Sequence, residues 1–119
     1  MEITIQDLVV EHREIEAALD VLSVRVVSGA IDADAFRLVR RLCERHYARE
    51  EAFLVRLAAR DMALADKLRG QHAETLEIAA RLEESETRDA IYLSRRLVAI
   101  TQHNIIEEER DVFPCFGTR

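Results

Sequence analysis

A chain of 119 residues is long enough for one core and too short for two, and a net charge of −6 argues against a nucleic-acid backbone or an anionic membrane surface as partner. With 49% hydrophobic and 34% charged residues but only three glycines and one proline, the composition is that of a helical protein with few turns. Two cysteines, Cys43 and Cys115, lack CxxC spacing and support no disulfide framework, which fits a reducing compartment.

Thr4 and Asp7 have the spacing of a capping box, flanked by Ile3 and Leu8 as a hydrophobic staple, so the first helix starts there. Its inward seam is Ile5, Leu8, His12, Ile15, Leu19, Leu22 and Val26, ending at Ser28-Gly29. Asp32 caps a second helix with the seam Phe36, Val39, Cys43, His46, Glu50, Phe53 and Leu57. Asp61 caps a third, carrying Ala65, Leu68, His72, Thr75, Leu76, Ala79 and Leu82 on one side, before the acidic turn Glu83 to Glu86. Thr87 caps a fourth with Leu93, Leu97, Ile100, His103 and Glu107 on one stripe, stopped before Pro114. Short connections predict an all-α, antiparallel up-down-up-down four-helix bundle, one domain over residues 1–119. The N-terminus does not read as a signal peptide and no apolar run approaches a membrane span, so a cytoplasmic protein is expected.

All four histidines fall on these predicted seams, one per helix, and two are followed four residues later by a seam glutamate, as His46–Glu50 and His103–Glu107. If two to three of every seven helix positions face the core, random placement would put all four there about 1 to 3% of the time. A buried, unpaired carboxylate costs several kcal/mol, and no Lys or Arg shares the stripes near these residues. A metal is the economical counter-charge, and the surplus of ligands favours two ions.

Folding the chain back at its caps tests whether the residues meet at one height. His12 lies 17 residues before Gly29, while His46 and Glu50 lie 14 and 18 after Asp32. Around Asp61, His46 and Glu50 are 15 and 11 before and His72 is 11 after; around Thr87, His72 is 15 before, and His103 and Glu107 are 16 and 20 after. At about 1.5 Å per residue, His12, His46, Glu50, His72, His103 and Glu107 fall within a slab roughly two turns thick.

Ferritin-type di-iron sites use Glu-x-x-His pairs, but Val9, Cys43, Arg69 and Ile100 precede the histidines here. The reversed order, with His12, His46-x-x-x-Glu50-Glu51, a lone His72 and His103-x-x-x-Glu107-Glu108-x-x-x-x-Phe113-Pro114, resembles the hemerythrin-like family of HHE cation-binding domains. The resemblance implies a left-handed four-helix bundle holding two irons, bridged by Glu50, Glu107 and an oxo or hydroxo group, with His12, His46, His72 and His103 as terminal ligands. Manganese or zinc is a less favoured alternative to iron. Leu76 stands where oxygen-carrying members of the family have a further histidine, so roughly five ligands per metal leave open positions for O2, NO, peroxide or water.

Several neighbours carry a bland reading beside a chemical one. Cys43 reads as a small buried hydrophobe rather than a redox partner, and Cys115 as exposed. Glu16, Glu74 and Glu77 read as a solvated face, with an extra ligand as the alternative; Glu51 and Glu108 fall off the predicted seams and read as surface or as supports behind the ligands. Tyr47 is placed to reach the site's edge, with packing between helices as the bland reading. The functional expectation is a di-iron protein binding O2, NO or peroxide in sensing, storage or stress response, as monomer or homodimer, with no nucleic-acid or membrane partner. An enzyme detoxifying peroxide or NO is the alternative, and a metal-free helical interaction module the third reading.

Overall fold

The structure is a computed structural model and describes residues 3–29, 32–84 and 87–116. Four α-helices, α1 (Ile5–Val27), α2 (Ala33–Ala58), α3 (Met62–Leu82) and α4 (Thr87–Glu107), lead into a π-helical turn (Glu108–Val112) and a 3-10 turn (Phe113–Phe116). No strand occurs among the described residues. Nor is any of their helices long and apolar enough to cross a membrane.

The helix starts follow the expected cap chemistry. Thr4 Oγ1 accepts from the Asp7 N–H at 3.1 Å while the Thr4 N–H donates to Asp7 Oδ2 at 2.9 Å, a reciprocal box that satisfies two orphan donors. Asp32 accepts from the Ala35 N–H and Asp61 from the Leu64 N–H, each worth about 1 kcal/mol against alanine. Gly29 leaves α1 at φ +80°, a left-handed conformation that glycine adopts without a Cβ penalty. The expected cap by the Thr87 side chain, and Ser85 and Glu86 of the acidic turn, lie outside what the structure describes.

Each helix packs on its neighbour in sequence, and α1 also packs on α4, which closes the ring. The interior is two apolar clusters rather than one. Ile15, Leu19 and Leu22 of α1 meet Phe36, Val39 and Cys43 of α2, Ile78 and Leu82 of α3, and Leu93 and Leu97 of α4. At the opposite end Ile5 and Leu8 meet Phe53, Leu54 and Leu57, Ala65 and Leu68, and Val112 and Phe113 of the terminal turns. Between them each helix and the π turn contribute a buried polar residue, forming a polar layer that separates the two clusters.

The inward face of α4 departs from expectation. Buried positions run Ala90, Leu93, Ser94, Leu97, Thr101, Asn104, Ile105, Glu107 and Glu108. After Leu97 the stripe steps by four to Thr101, not by three to Ile100, and His103 turns outward. Burial at these polar positions is tolerated because their groups are satisfied. Thr101 Oγ1 donates to the Leu97 carbonyl at 2.6 Å, and Asn104 Nδ2 donates to Gln71 Oε1 at 2.9 Å. The α-helix also ends seven residues before Pro114, giving way to the π turn at Glu108.

Candidate metal centre

The polar layer brings together His12 from α1, His46 and Glu50 from α2, His72 from α3 and Glu108 at the start of the π turn. Donor atoms of His12, His46, Glu50 and Glu108 all lie within 4.8 Å of one another. Glu108 is the pivot. Its Oε1 lies 2.9 Å from His12 Nε2 and 3.7 Å from His46 Nε2, and its Oε2 lies 2.6 Å from His72 Nε2. Glu50 repeats the division, with Oε2 3.8 Å from His46 Nε2 and Oε1 3.2 Å from His72 Nε2. Glu108 therefore turns one oxygen towards His12 and His46 and the other towards His72, and Glu50 turns one towards His46 and the other towards His72.

The surroundings hold the rings in place. Glu11 Oε1 lies 2.8 Å from His46 Nδ1, and Glu109 Oε2 lies 2.7 Å from His12 Nδ1. Phe113 stacks on His12 with centroids 5.2 Å apart, and Tyr47 lies parallel to His72 at 3.8 Å. Tyr47 thus reaches the edge of the cluster while packing between helices.

Electrostatically the layer is costly as protein alone. Burial, then the charge of Glu108, pushes the Glu50 carboxyl up to about 8. Burial also opposes ionisation of Glu108, but the hydrogen bonds with His12 and His72 and the nearby His46 ring outweigh it and hold that group well below the usual carboxylate range. For His72, burial disfavours the charged ring, yet its contacts with Glu108 and Glu50 outweigh burial and raise it to about 9. His46 Nε2 and Glu50 Oε2 are buried with no hydrogen-bond partner among the described residues, and Glu50 Oε1 is near His72 without hydrogen-bond alignment. Buried polar atoms left in this way each cost about 1–3 kcal/mol. The ion pairs of Glu50 and Glu108 among the described residues are all to histidines. Imidazole nitrogens and carboxylate oxygens converging without a lysine or arginine are a donor set suited to a transition-metal ion, so the residues fit a cation.

Two of the six expected ligands stand apart. The His103 side chain is 66% exposed, and its one ion pair among the described residues is with Glu107, at 3.6 Å. Glu107 is buried but engaged elsewhere, accepting from Lys67 Nζ at 2.6 Å and Gln71 Nε2 at 2.9 Å. These bonds, that to Lys67 foremost, lower its carboxyl below the ordinary value. Lys67 lies off the expected α3 stripe and still reaches Glu107, so that carboxylate has a counter-charge within the protein. In its place Glu108, read as surface or support, is fully buried at the centre. The cause is the four-residue step in α4: a stripe through Thr101 and Asn104 arrives at Glu108, whereas one through Ile100 and His103 arrives at Glu107.

The remaining neighbours follow the bland readings. Glu16 pairs with Arg13 and Glu74 with Arg96 on the surface, Glu77 is exposed, and Glu51 pairs with Arg69. Leu76 packs against the larger apolar cluster. Cys43 is buried and Cys115 exposed, and burial pushes the Cys43 thiol up to about 12. Because the thiolate is the nucleophile, maleimide is expected to modify Cys115 alone in the native protein and both thiols in denaturant. Mass spectrometry reads the result, and native labelling of Cys43 would contradict the burial.

Four helices around a buried layer of histidine and glutamate define a helical protein with a candidate cation centre. The sequence model of the hemerythrin HHE cation binding domain matches residues 3–116, and the chain belongs to that family. Neither the curated proteins nor the solved structures compared contain a significant match.

Proposed function

We propose that this chain is a non-haem di-iron protein that binds O2, or a related small ligand such as NO or peroxide, in sensing, storage or stress response. His12, His46, His72, Glu50 and Glu108 would hold the metal, with the two carboxylates placed to serve both sides of the layer. The observation that carries this reading is the division of both carboxylates between two sides: Glu108 faces His12 and His46 with one oxygen and His72 with the other, and Glu50 faces His46 with one and His72 with the other. A single ion would leave one of those faces unused.

The protein supplies two nitrogens to one position and one to the other, so the His72 side has more room for an exogenous ligand. A pair of irons there supplies redox-active positions for that ligand when bound. The chain's own residues orient the donors and, through the two apolar clusters, keep bulk water from the layer. That α1 and α3 contribute residues of their C-terminal halves to one cluster, where α2 and α4 contribute mainly residues of their N-terminal halves, supports an antiparallel up-down-up-down order. A single domain working in the cytoplasm as monomer or homodimer completes the reading.

A mononuclear centre is the second reading, favoured by the mutual proximity of His12, His46, Glu50 and Glu108. Metal analysis of protein from iron-supplemented cells separates them, with about two irons per chain expected and one supporting the mononuclear centre. Anaerobic titration with O2, NO and peroxide, followed optically, should show reversible binding; sustained turnover of peroxide or NO would establish an enzyme instead. Absence of bound metal, with a melting temperature indifferent to EDTA, would leave the helical interaction module.

A further inference from the structure

We propose that Glu11 and Glu109 are positioning residues that fix the rings of His46 and His12 and make that half of the centre the tighter cation position. This inference rests on the cation reading above. Glu11 faces His46 Nδ1 at 2.8 Å and Glu109 faces His12 Nδ1 at 2.7 Å. A ring that donates its Nδ1–H to a carboxylate keeps the Nε2 lone pair free for a metal and becomes a stronger donor. Both Nε2 atoms point into the layer, that of His46 with no hydrogen-bond partner among the described residues and that of His12 towards Glu108.

Each carboxylate is anchored in turn by an arginine, Glu11 by Arg49 and Glu109 by Arg13. The supports also cross between elements. Glu11 is the sequence neighbour of His12 but serves His46 on α2, and Glu109 is the neighbour of Glu108 but serves His12 on α1. Setting one ring therefore sets the rotation of the next element. His72 differs: the acids that contact it among the described residues, Glu50 and Glu108, both meet Nε2, and its ring rests on Tyr47. The two halves of the layer are unequal in their supports as well as in their nitrogen count.

Glu11→Gln and Glu109→Gln keep the size and the oxygen acceptor while removing the charge. Metal-free wild type and variants are titrated with Co2+ against a chromophoric chelator. Wild type should take up two equivalents in resolved steps, and each variant should weaken the first step ten- to a hundredfold while moving the second less than about threefold. Iron-loaded variants should also show a raised midpoint potential, which a merely structural role would not move, while the metal-free variants melt with the wild type. An unchanged first step, equal weakening of both steps, or an unchanged potential overturns the inference. A wild type that takes up no Co2+ overturns the cation reading with it, a result distinguishable from failure of the variants alone.

Discussion

Glu108→Gln is expected to remove bound iron almost entirely, whereas Glu107→Gln in the adjacent position leaves the content at the wild-type level. The two residues share a side chain, a helix end and near-complete burial, and differ in what surrounds them. Glu108 offers its two oxygens to three imidazoles, so an amide there removes one negative charge and one anionic donor from both proposed metal positions. Loss of a bridging ligand should exceed the 10- to 100-fold typical of an outer support. Glu107 is committed to Lys67 and Gln71, and the Lys67 side chain is 56% exposed. Losing that pair is worth only about 0–1 kcal/mol. Metal analysis of both variants after identical loading, with melts to verify folding, checks the contrast. Equal losses would show that the adjacent carboxylates share the role.

Stripping the metal is expected to create a pH dependence that the loaded protein lacks. In the metal-free protein His72 is raised from an ordinary value of 6.5 to about 9, so the folded state holds its proton more tightly than the unfolded chain. That stabilisation is complete below pH 6.5 and is lost as pH rises to about 9. Glu50, raised from 4.5 to about 8, acts in the same direction: its contribution is complete below pH 4.5 and gone above about 8. Glu108 is lowered and acts oppositely, its stabilisation being present above pH 4.5 and lost on acidification. Metal-free protein should therefore melt at progressively lower temperature from pH 6.5 to 9. A loss of even 1 kcal/mol lowers the midpoint by roughly 4 °C in a domain of this size. Bound cations take the place of those protons, so pre-loaded protein should melt higher and almost independently of pH over the same window. Melts in EDTA and after loading, at pH 6.5, 7.5 and 9, make the comparison, and a flat metal-free profile would contradict it.

Much of the architecture was legible because local chemistry and global packing agree. Thr4, Asp32 and Asp61 cap as their side chains dictate, and the heights counted from the turns place His12, His46, Glu50 and His72 in one layer. The failure in α4 has a definite cause. Hydropathy selects Ile100 over Thr101 and His103 over Asn104, but Thr101 back-bonds to Leu97 and Asn104 is held by Gln71, so both can be buried. A seam read by apolarity alone takes the wrong branch once polar residues satisfy each other across helices. Histidines at matching heights show which helices converge, not how each is rotated. Glu11 and Glu109 were missed for that reason, since no periodicity distinguishes a carboxylate aimed at a neighbouring ring from one aimed at water.

The pairing of His12 with Glu108 spans 96 residues of chain, against 36 for His72 with Glu108 and 35 for His46 with Glu11. Loop-closure entropy grows with the separation of the ends, and contacts this distant slow folding more than they alter final stability. Seating α1 against the terminal turn is accordingly the costliest closure the layer requires. A cation gripping His12 on one side and Glu108 on the other would act as a clasp on that closure, so metal supply would govern how quickly a newly made chain completes its ring.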